Sequence, residues 1–467
     1  MKKNIFLLVL LIISKSGFCQ SDSVFTLDNL YKLVMLNHPV AQQAELLPEA
    51  ARFEIRAARG AFDPKVQIQF DEKEFDTKRY WNNLNTMLKV PAWIGEFKGG
   101  FERNRGNFIS ASDNTPLSGL LSAGYSLPLG AGLLIDERRS TLRQAQLLKE
   151  ISIAERLKVI NKLLLEVAVD YWDWYTAYRQ LNFIEDAYTL ASIRFDAVKE
   201  MTELGSQSGL DTVEAFSNLA LRDIQRIQAQ LNLQNTALVL SNHIWDPNGL
   251  PMQLDSLAIP QEISRISRTI NKNLLDSLKS QAITNHPDLI KLDAKISQLG
   301  IEKRFRQEML KPTIDLEYNF LQSGLGDVQT NNGLFLSNYK FGLSVGMPLL
   351  LRKERGKLQG TKVKLNLAEL ELINRRRTVE TEVLTRYNDV KNLEELLLKQ
   401  DIILNAYRTL VFGEQEKFRN GESSLFIINA RESKLVESGM KLADFEAKFA
   451  KSIAYLYWSS GLSEANN

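Results

Sequence analysis

Hydrophobic and polar positions alternate with a helical period over two long stretches of this chain, residues 139–205 and 355–421. The second stretch copies the first without a gap at an offset of 216 residues (355 − 139), so that Tyr171 corresponds to Tyr387. At 1.5 Å per residue, each stretch predicts a helix of roughly 100 Å. Such a long pattern indicates a coiled coil, a helical repeat or a membrane span. Charged residues around Glu155 exclude a membrane-spanning helix.

A turn and a shorter return helix follow each long stretch. The turns contain Gly205 and Gly421. Apolar residues then recur every seven positions, at Ile224, Leu231, Leu238 and Trp245 and at Ile428, Leu435, Leu442, Phe449 and Leu456. This heptad spacing predicts that each return helix packs against its long helix as a coiled-coil hairpin. Each copy also has an earlier helix, which starts at the proline of an Asn-His-Pro sequence, Pro39 or Pro287.

Between the earlier helix and the long helix, the hydrophobic period of each copy changes to two, as expected of strands. The alternating apolar positions of the second copy include Ile314, Leu316, Tyr318, Phe341, Leu343 and Val345. Polar residues and glycines lie between them. We predict four strands, over residues 64–75, 117–128, 312–322 and 338–348.

The chain is therefore predicted to be a tandem duplication. After a leader at residues 1–19, the first structural repeat covers 20–245, a linker 246–275 and the second repeat 276–467. The predicted helices cover residues 39–61, 135–204, 209–245, 287–311, 351–419 and 424–460.

The two copies differ in the length of the strand region. Pro64 and Pro128 lie 64 positions apart, whereas Pro312 and Pro348 lie 36 apart, so the first copy has 28 additional residues. We interpret these residues as a longer loop with some strand character. The charged run 136–139, which follows the strand region, is interpreted as a solvated helix start.

The strands indicate contact with a membrane. Each is long enough to cross a bilayer as a tilted strand, with one apolar face and one face of polar residues or glycine. Four strands do not close into a barrel, and open strand edges are not tolerated in lipid. Eight strands leave no water-filled channel, so a trimer with twelve strands is expected rather than a dimer. The alternative from the residues alone is a soluble protein with half-buried hairpins.

The N-terminus predicts export across the inner membrane. Residues 1–19 combine a basic start, an apolar run and a small-residue end, which is typical of a cleaved signal peptide. Cleavage after Cys19, the single cysteine, would remove three lysines and change the formal charge from +2 to −1. Lipidation of Cys19 is less favoured, because Phe18 occupies the position that needs a small residue. A near-neutral charge gives no argument for nucleic-acid binding.

Tandem copies, paired strands, very long helices and glycine turns together resemble the TolC family of outer-membrane channel proteins. The resemblance covers residues 25–462 and includes the Pro-Leu ends of the strands at Pro128 and Pro348. It implies a mainly α-helical protein with a membrane β-barrel: a homotrimer whose twelve-stranded barrel continues into a periplasmic coiled-coil tube.

The resemblance also implies functional sites at the end of the tube. Acidic residues just after the glycine turn ring the pore in that family, and this chain has Asp211 and Glu214 there. The second copy has Phe426 and Asn429 at the matching positions. The alternative is that both acids only stabilise the first turn of the return helix. The turns at Gly205, Ser206, Asn420 and Gly421 are the expected docking points for an adaptor.

The predicted function is passive export through the outer membrane, as in a tripartite efflux or type I secretion-like system. The expected partners are outer-membrane lipid, a periplasmic adaptor and an inner-membrane pump that supplies the energy. Three dispersed histidines predict no metal site, and the absence of catalytic motifs predicts neither a cofactor nor an enzyme. The rival hypothesis is a soluble periplasmic coiled-coil scaffold or adaptor, which has no need for ten-residue apolar strand faces.

Overall fold

The computed structural model describes residues 24–263, 272–324 and 338–463, so the predicted signal peptide and part of the linker 246–275 lie outside the described residues. The helices are α1 (Leu27–Asn37), α2 (Pro39–Arg59), α3 (Glu137–Glu203), α4 (Gly209–Ser241), α5 (Lys272–Asn285), α6 (Pro287–Glu308), α7 (Arg352–Arg419) and α8 (Leu425–Ser459). The strands are β1 (Val24–Phe25), β2 (Lys65–Phe75), β3 (Lys78–Pro91), β4 (Glu96–Arg105), β5 (Leu120–Pro128), β6 (Ile259–Pro260), β7 (Thr313–Ser323) and β8 (Tyr339–Gly346).

The two His-Pro sequences start helices. His38 Nδ1 accepts a hydrogen bond from the Val40 N–H at 3.1 Å, and His286 Nδ1 accepts one from the Asp288 N–H at 3.2 Å. Each imidazole thus satisfies one of the N–H groups that the first helical turn leaves without a partner. None of the helices in the described ranges combines the length and apolar character needed to cross a lipid bilayer.

The chain divides into two compact units. One unit consists of the chain up to Gln42, Ile160–Ser280 and the chain from Glu382 onwards. The other consists of Gln43–Val159 and Gln281–Thr381 and contains the large β-sheet. Helices α3 and α7 contribute residues to both units.

Aromatic residues of α3 organise the first unit. The buried Tyr171 donates a hydrogen bond from its hydroxyl to the Phe25 carbonyl in β1 at 2.7 Å. Its oxygen accepts the Gln261 N–H, next to β6, at 3.1 Å. Burial raises the pKa of Tyr171 to about 12, so the phenol keeps its proton for this bond. The buried aromatic residues Tyr171, Trp174 and Tyr175 therefore fill the packing between elements.

The second unit contains one antiparallel sheet in the order β2-β3-β4-β5-β7-β8. Strands β5 and β7 join the two repeats, with Tyr125 opposite Tyr318 and Leu127 opposite Leu316. Because side chains alternate between the faces of a strand, this register places the apolar residues of both repeats on one face.

The predicted number of four strands is wrong, because six strands of the described residues form the sheet. Strands β3 and β4 span Lys78 to Arg105, which is 28 residues, the length of the segment interpreted as a loop. This segment has asparagines in β3 and the pair Gly99-Gly100 in β4, and these residues are depleted in strands. Hydrogen bonds to strands on both sides stabilise it in the sheet nonetheless.

Arg139 is not the solvated residue expected at the start of α3, because its side chain is 2% exposed. The guanidinium donates to the Leu133 carbonyl at 3.1 Å and also to the Gly132 carbonyl. The Asp136 carboxylate accepts both the Arg139 N–H, at 2.8 Å, and Nε, at 3.1 Å. The arginine thus satisfies carbonyl groups of the segment between β5 and α3, which would otherwise be buried without partners.

The buried His286 predicts a pH dependence of stability. Burial lowers the pKa of its imidazole from 6.5 to about 4, whereas a histidine in the unfolded chain titrates near 6.5. On acidification, the unfolded state therefore binds a proton at this histidine before the folded state does. The contribution of His286 to the free energy of unfolding is fully present above about pH 6.5. It should fall by up to about 3 kcal/mol as the pH drops towards about 4.

Urea unfolding of the chain and of His286→Asn, at about pH 7.5 and about pH 4.5, measures this contribution. Asparagine keeps the capping acceptor but does not titrate. We expect the variant to lose less stability on acidification than the unsubstituted chain. An identical loss in both proteins would contradict the assignment to His286.

Candidate functional site

Both turns between the long and return helices have the same backbone structure. The Gly205 N–H donates to the Thr202 carbonyl at 3.0 Å, and the Ser206 N–H donates to the Met201 carbonyl at 2.9 Å. In the second copy, the Gly421 N–H donates to the Phe418 carbonyl at 3.1 Å, and the Glu422 N–H donates to the Lys417 carbonyl at 2.8 Å. Such pairing defines a Schellman motif, which requires a left-handed residue. Both glycines supply it, with φ values of 78° and 75°.

Helix α4 starts with a capping box. The Ser208 hydroxyl accepts the Leu210 N–H at 3.0 Å, and the Asp211 carboxylate accepts the Ser208 N–H at 3.1 Å. Asp211, one of the predicted pore-constriction residues, therefore has a local structural role at the helix N-terminus. This is the role that the alternative hypothesis expected of it.

Apolar side chains hold the ends of the four helices together. Val198 of α3, Ala215 of α4 and the pair Leu425 and Ile428 of α8 form a buried cluster, each with at most 4% exposure. Phe195 and Phe418 pack against this cluster. The small cluster fixes the two copies against each other immediately behind the turns.

A buried ion pair lies beside the apolar cluster. Arg194 of α3 donates from both terminal nitrogens to the carboxylate of Glu432 in α8, one of these bonds at 2.6 Å. The two side chains are only 10% and 8% exposed. Such a pair has lost most of its hydration, so removal of one partner leaves an uncompensated buried charge.

Asn429 connects this ion pair to the predicted acidic site. Its side-chain oxygen accepts from Arg194 at 3.2 Å and from Asn218 at 2.8 Å. Its amide nitrogen donates to the Glu214 carboxylate at 3.2 Å. One asparagine of the second copy thus bonds three residues of the first copy.

The structure therefore brings some of the predicted residues together. Glu214, Asn429 and Phe426 line one shallow depression, together with Asn218 and Ser217. Phe426 is 69% exposed and makes no part of the polar network.

The sequence analysis missed Arg194 and Glu432. The available signal was that Glu432 follows Asn429 by three positions and so shares its helix face. The structure describes no group of three or more acidic, histidine or cysteine side chains that could hold a metal ion.

The predicted lipid-facing residues share one face of the sheet in the other unit. Ile314 is opposite Val345, Leu316 opposite Leu343, and Tyr318 opposite Phe341. The three side chains of β8 are 57–67% exposed in the single chain, and no described segment covers them. An exposed apolar surface of this extent requires an apolar partner.

The family comparison agrees with this geometry. Residues 30–244 match the model of the family described as outer membrane efflux protein. No curated protein matches the chain in sequence.

Solved structures show the same fold at low sequence identity. The chain resembles the Campylobacter jejuni CmeC outer membrane channel, with 15% identity, a TM-score of 0.65 and coverage of 94% of this chain and 86% of that chain. It also resembles the outer membrane protein VceC of Vibrio cholerae, with 11% identity, a TM-score of 0.65 and coverage of 94% of this chain and 96% of that chain. The open state of the Neisseria gonorrhoeae MtrE outer membrane channel is similar as well, with 14% identity, a TM-score of 0.67 and coverage of 93% of this chain and 89% of that chain.

These findings support an outer-membrane efflux channel with a helical periplasmic part. Residues 30–244, which include nearly all of the first repeat, carry the sequence pattern of the outer membrane efflux protein family. The soluble scaffold is not favoured, and the match to a family of channels supports the expectation that the chain is not an enzyme.

Removal of the buried charge at the tip should destabilise this part of the protein. We expect Arg194→Gln to lower the free energy of unfolding by about 3 kcal/mol, because Glu432 is then left buried without its counter-charge. The matched control is Arg419→Gln, which breaks the exposed pair with Glu416 and should cost at most about 1 kcal/mol. Urea unfolding in detergent measures both variants. Equal effects would show that the Arg194–Glu432 pair does not hold the tip.

Proposed function

We propose that the chain acts as a homotrimer, a passive conduit that carries cargo across the outer membrane from a periplasmic helical tube. The observation that carries this proposal is the amphipathic sheet of this chain. The match of residues 30–244 to the outer membrane efflux protein family supports it. Its apolar face suits lipid, and its polar face suits a water-filled lumen. The end strands β2 and β8 each have one neighbour among the described residues, so further copies are needed to pair their outer edges.

The tip turns are the proposed docking surface for a periplasmic adaptor. Gly205, Ser206, Asn420 and Gly421 are all exposed, and nothing lies within 4 Å of a side chain built on either glycine. A contact there would connect the channel to an inner-membrane pump, as in a tripartite efflux or type I secretion-like system. The energy for export would come from that pump.

The polar network at the tip is the proposed gate. The contacts of Asn429 with Glu214 and of Arg194 with Glu432 join the helices of the two copies. Separation of α4 from α8 breaks the first contact, and separation of α3 from α8 breaks the second. Opening by either route therefore needs a partner that compensates for the exposed charges, which is a role for the docked adaptor.

The location and assembly are tested by fractionation. We expect the protein in the outer-membrane fraction and, on unboiled gels, as an SDS-resistant trimer, because strand edges in lipid must be paired. Boiling should convert the trimer to the monomer. A soluble monomer in the periplasm would contradict the channel and favour the scaffold.

The acidic ring is tested by ion selectivity. Three copies would bring Asp211 and Glu214 around the axis, and a ring of carboxylates favours cations. We expect Asp211→Asn with Glu214→Gln to reduce cation selectivity and divalent-cation block in planar bilayers. Glu203→Gln, at the exposed end of α3, is the control and should change neither property. Unchanged selectivity in the double variant would leave Asp211 only its capping role.

A further inference from the structure

The hairpin β3–β4 lies inside the large sheet, not beside it. Strand β3 pairs with β2 from Lys78 opposite Phe75 to Lys89 opposite Lys65. On its other edge, β3 pairs with β4 from Asn82 opposite Arg105 to Pro91 opposite Glu96. Strand β4 pairs in turn with β5. The hairpin thus separates β2 from β5, the two strands of the first repeat that the sequence predicted.

The hairpin continues the apolar face of the sheet. Leu88 lies between Val66 of β2 and Gly99 of β4, and the next row places Ile68 opposite Thr86. The apolar rows of the whole sheet comprise Val66, Ile68, Phe70, Leu84, Leu88, Val90, Phe97, Phe101, Leu121, Tyr125, Leu127, Ile314, Leu316, Tyr318, Phe320, Phe341, Leu343 and Val345. A hairpin that folded in water would have no reason to keep this face in register with its neighbours.

The opposite face of the hairpin remains polar. Asn85 lies between Gln69 of β2 and Glu102 of β4, and Asn83 lies between Asp71 and Asn104. Met87 is an exception on this face. The same division between the faces therefore holds on the inserted strands and on the strands that the sequence predicted.

Aromatic residues mark both ends of the hairpin. Trp93, in the turn between β3 and β4, stacks on Phe62 with 5.9 Å between ring centroids. At the other end, Tyr80 of β3 stacks on Phe108 at 4.7 Å. Arg103 ends the apolar row of β4 near this second end. Aromatic girdles at both interfaces are typical of strands that cross an outer membrane.

The number of strands fits closure by further copies. Six strands that are antiparallel throughout leave β2 and β8 running in opposite directions. Strand β8 of one copy can therefore pair antiparallel with β2 of the next, and this closes the sheet without a defect. An even number of strands is the rule for bacterial outer-membrane barrels.

We infer that the hairpin β3–β4 is part of the membrane wall and that three copies close an eighteen-stranded barrel, β8 of each against β2 of the next. The trimer itself rests on the proposed function. Because barrel diameter grows roughly linearly with strand number, this barrel is about 1.5 times as wide as one of twelve strands. The size limit on the cargo is then set by the helical part rather than by the barrel.

Cysteine labelling tests the position of the hairpin. The chain has a single cysteine, Cys19, so the unsubstituted protein measures background labelling. Bimane is attached to Leu88→Cys and Lys89→Cys in β3, and to the control pair Ile68→Cys and Gln67→Cys in β2. Brominated phospholipid should quench Leu88→Cys and Ile68→Cys more strongly, whereas aqueous iodide should quench Lys89→Cys and Gln67→Cys more strongly.

The outcomes separate this inference from the proposed function. If iodide quenches both β3 positions while the β2 pair alternates as expected, the hairpin lies outside the membrane wall and the inference is wrong, but the channel stands. If the β2 pair shows no lipid contact either, the proposed function fails.

Electron cryomicroscopy of the purified assembly in lipid nanodiscs counts the strands directly. Eighteen strands in a trimer support the closure. Twelve strands, in a trimer or in a dimer, overturn it.

Discussion

The hydrogen bonds between neighbouring strands are the interaction on which the rest of this protein depends. Hydrocarbon offers no partner for a backbone N–H or C=O, so every strand in it must be paired on both edges. Within one chain, β2 and β8 are each paired on one edge in the described structure. The proposed trimer would pair the other edge, and assembly around an axis would then place the long helices α3 and α7 in a tube.

The duplication gives each chain two similar halves, and these halves differ at the tip. The first copy supplies Asp211 and Glu214 at the tip, and the second supplies Asn429, which donates to Glu214. Identical copies would place two carboxylates where one carboxylate and one amide now bond. The divergence therefore replaces a repulsive contact with a hydrogen bond, and in the proposed gate it would link opening of the tip to separation of the copies.

The large sheet and the tip make opposite physical demands. The sheet leaves the apolar side chains of β8 exposed in the single chain, whereas the tip buries the Arg194–Glu432 pair among helices. A buried ion pair contributes little net stability compared with apolar packing. Loss of one of its two charges is nevertheless costly, because the other charge is left buried without a partner. That asymmetry suits the proposed gate, which would stay closed by default and open when a partner replaces the lost interactions.

Periodicity along the sequence determined the long helices, the return helices and the strands of the second repeat, because local alternation reports which face of an element is buried. The glycines of the tip turns were also determined locally, since a Schellman motif needs a left-handed residue. Only the tertiary structure placed β3 and β4 in the sheet, because Gly99, Gly100 and the asparagines of β3 have weak strand preference and depend on their neighbours for pairing. It alone also decided the burial of Arg139 and the pairing of Arg194 with Glu432, 238 positions apart, because such contacts arise from packing rather than from local pattern.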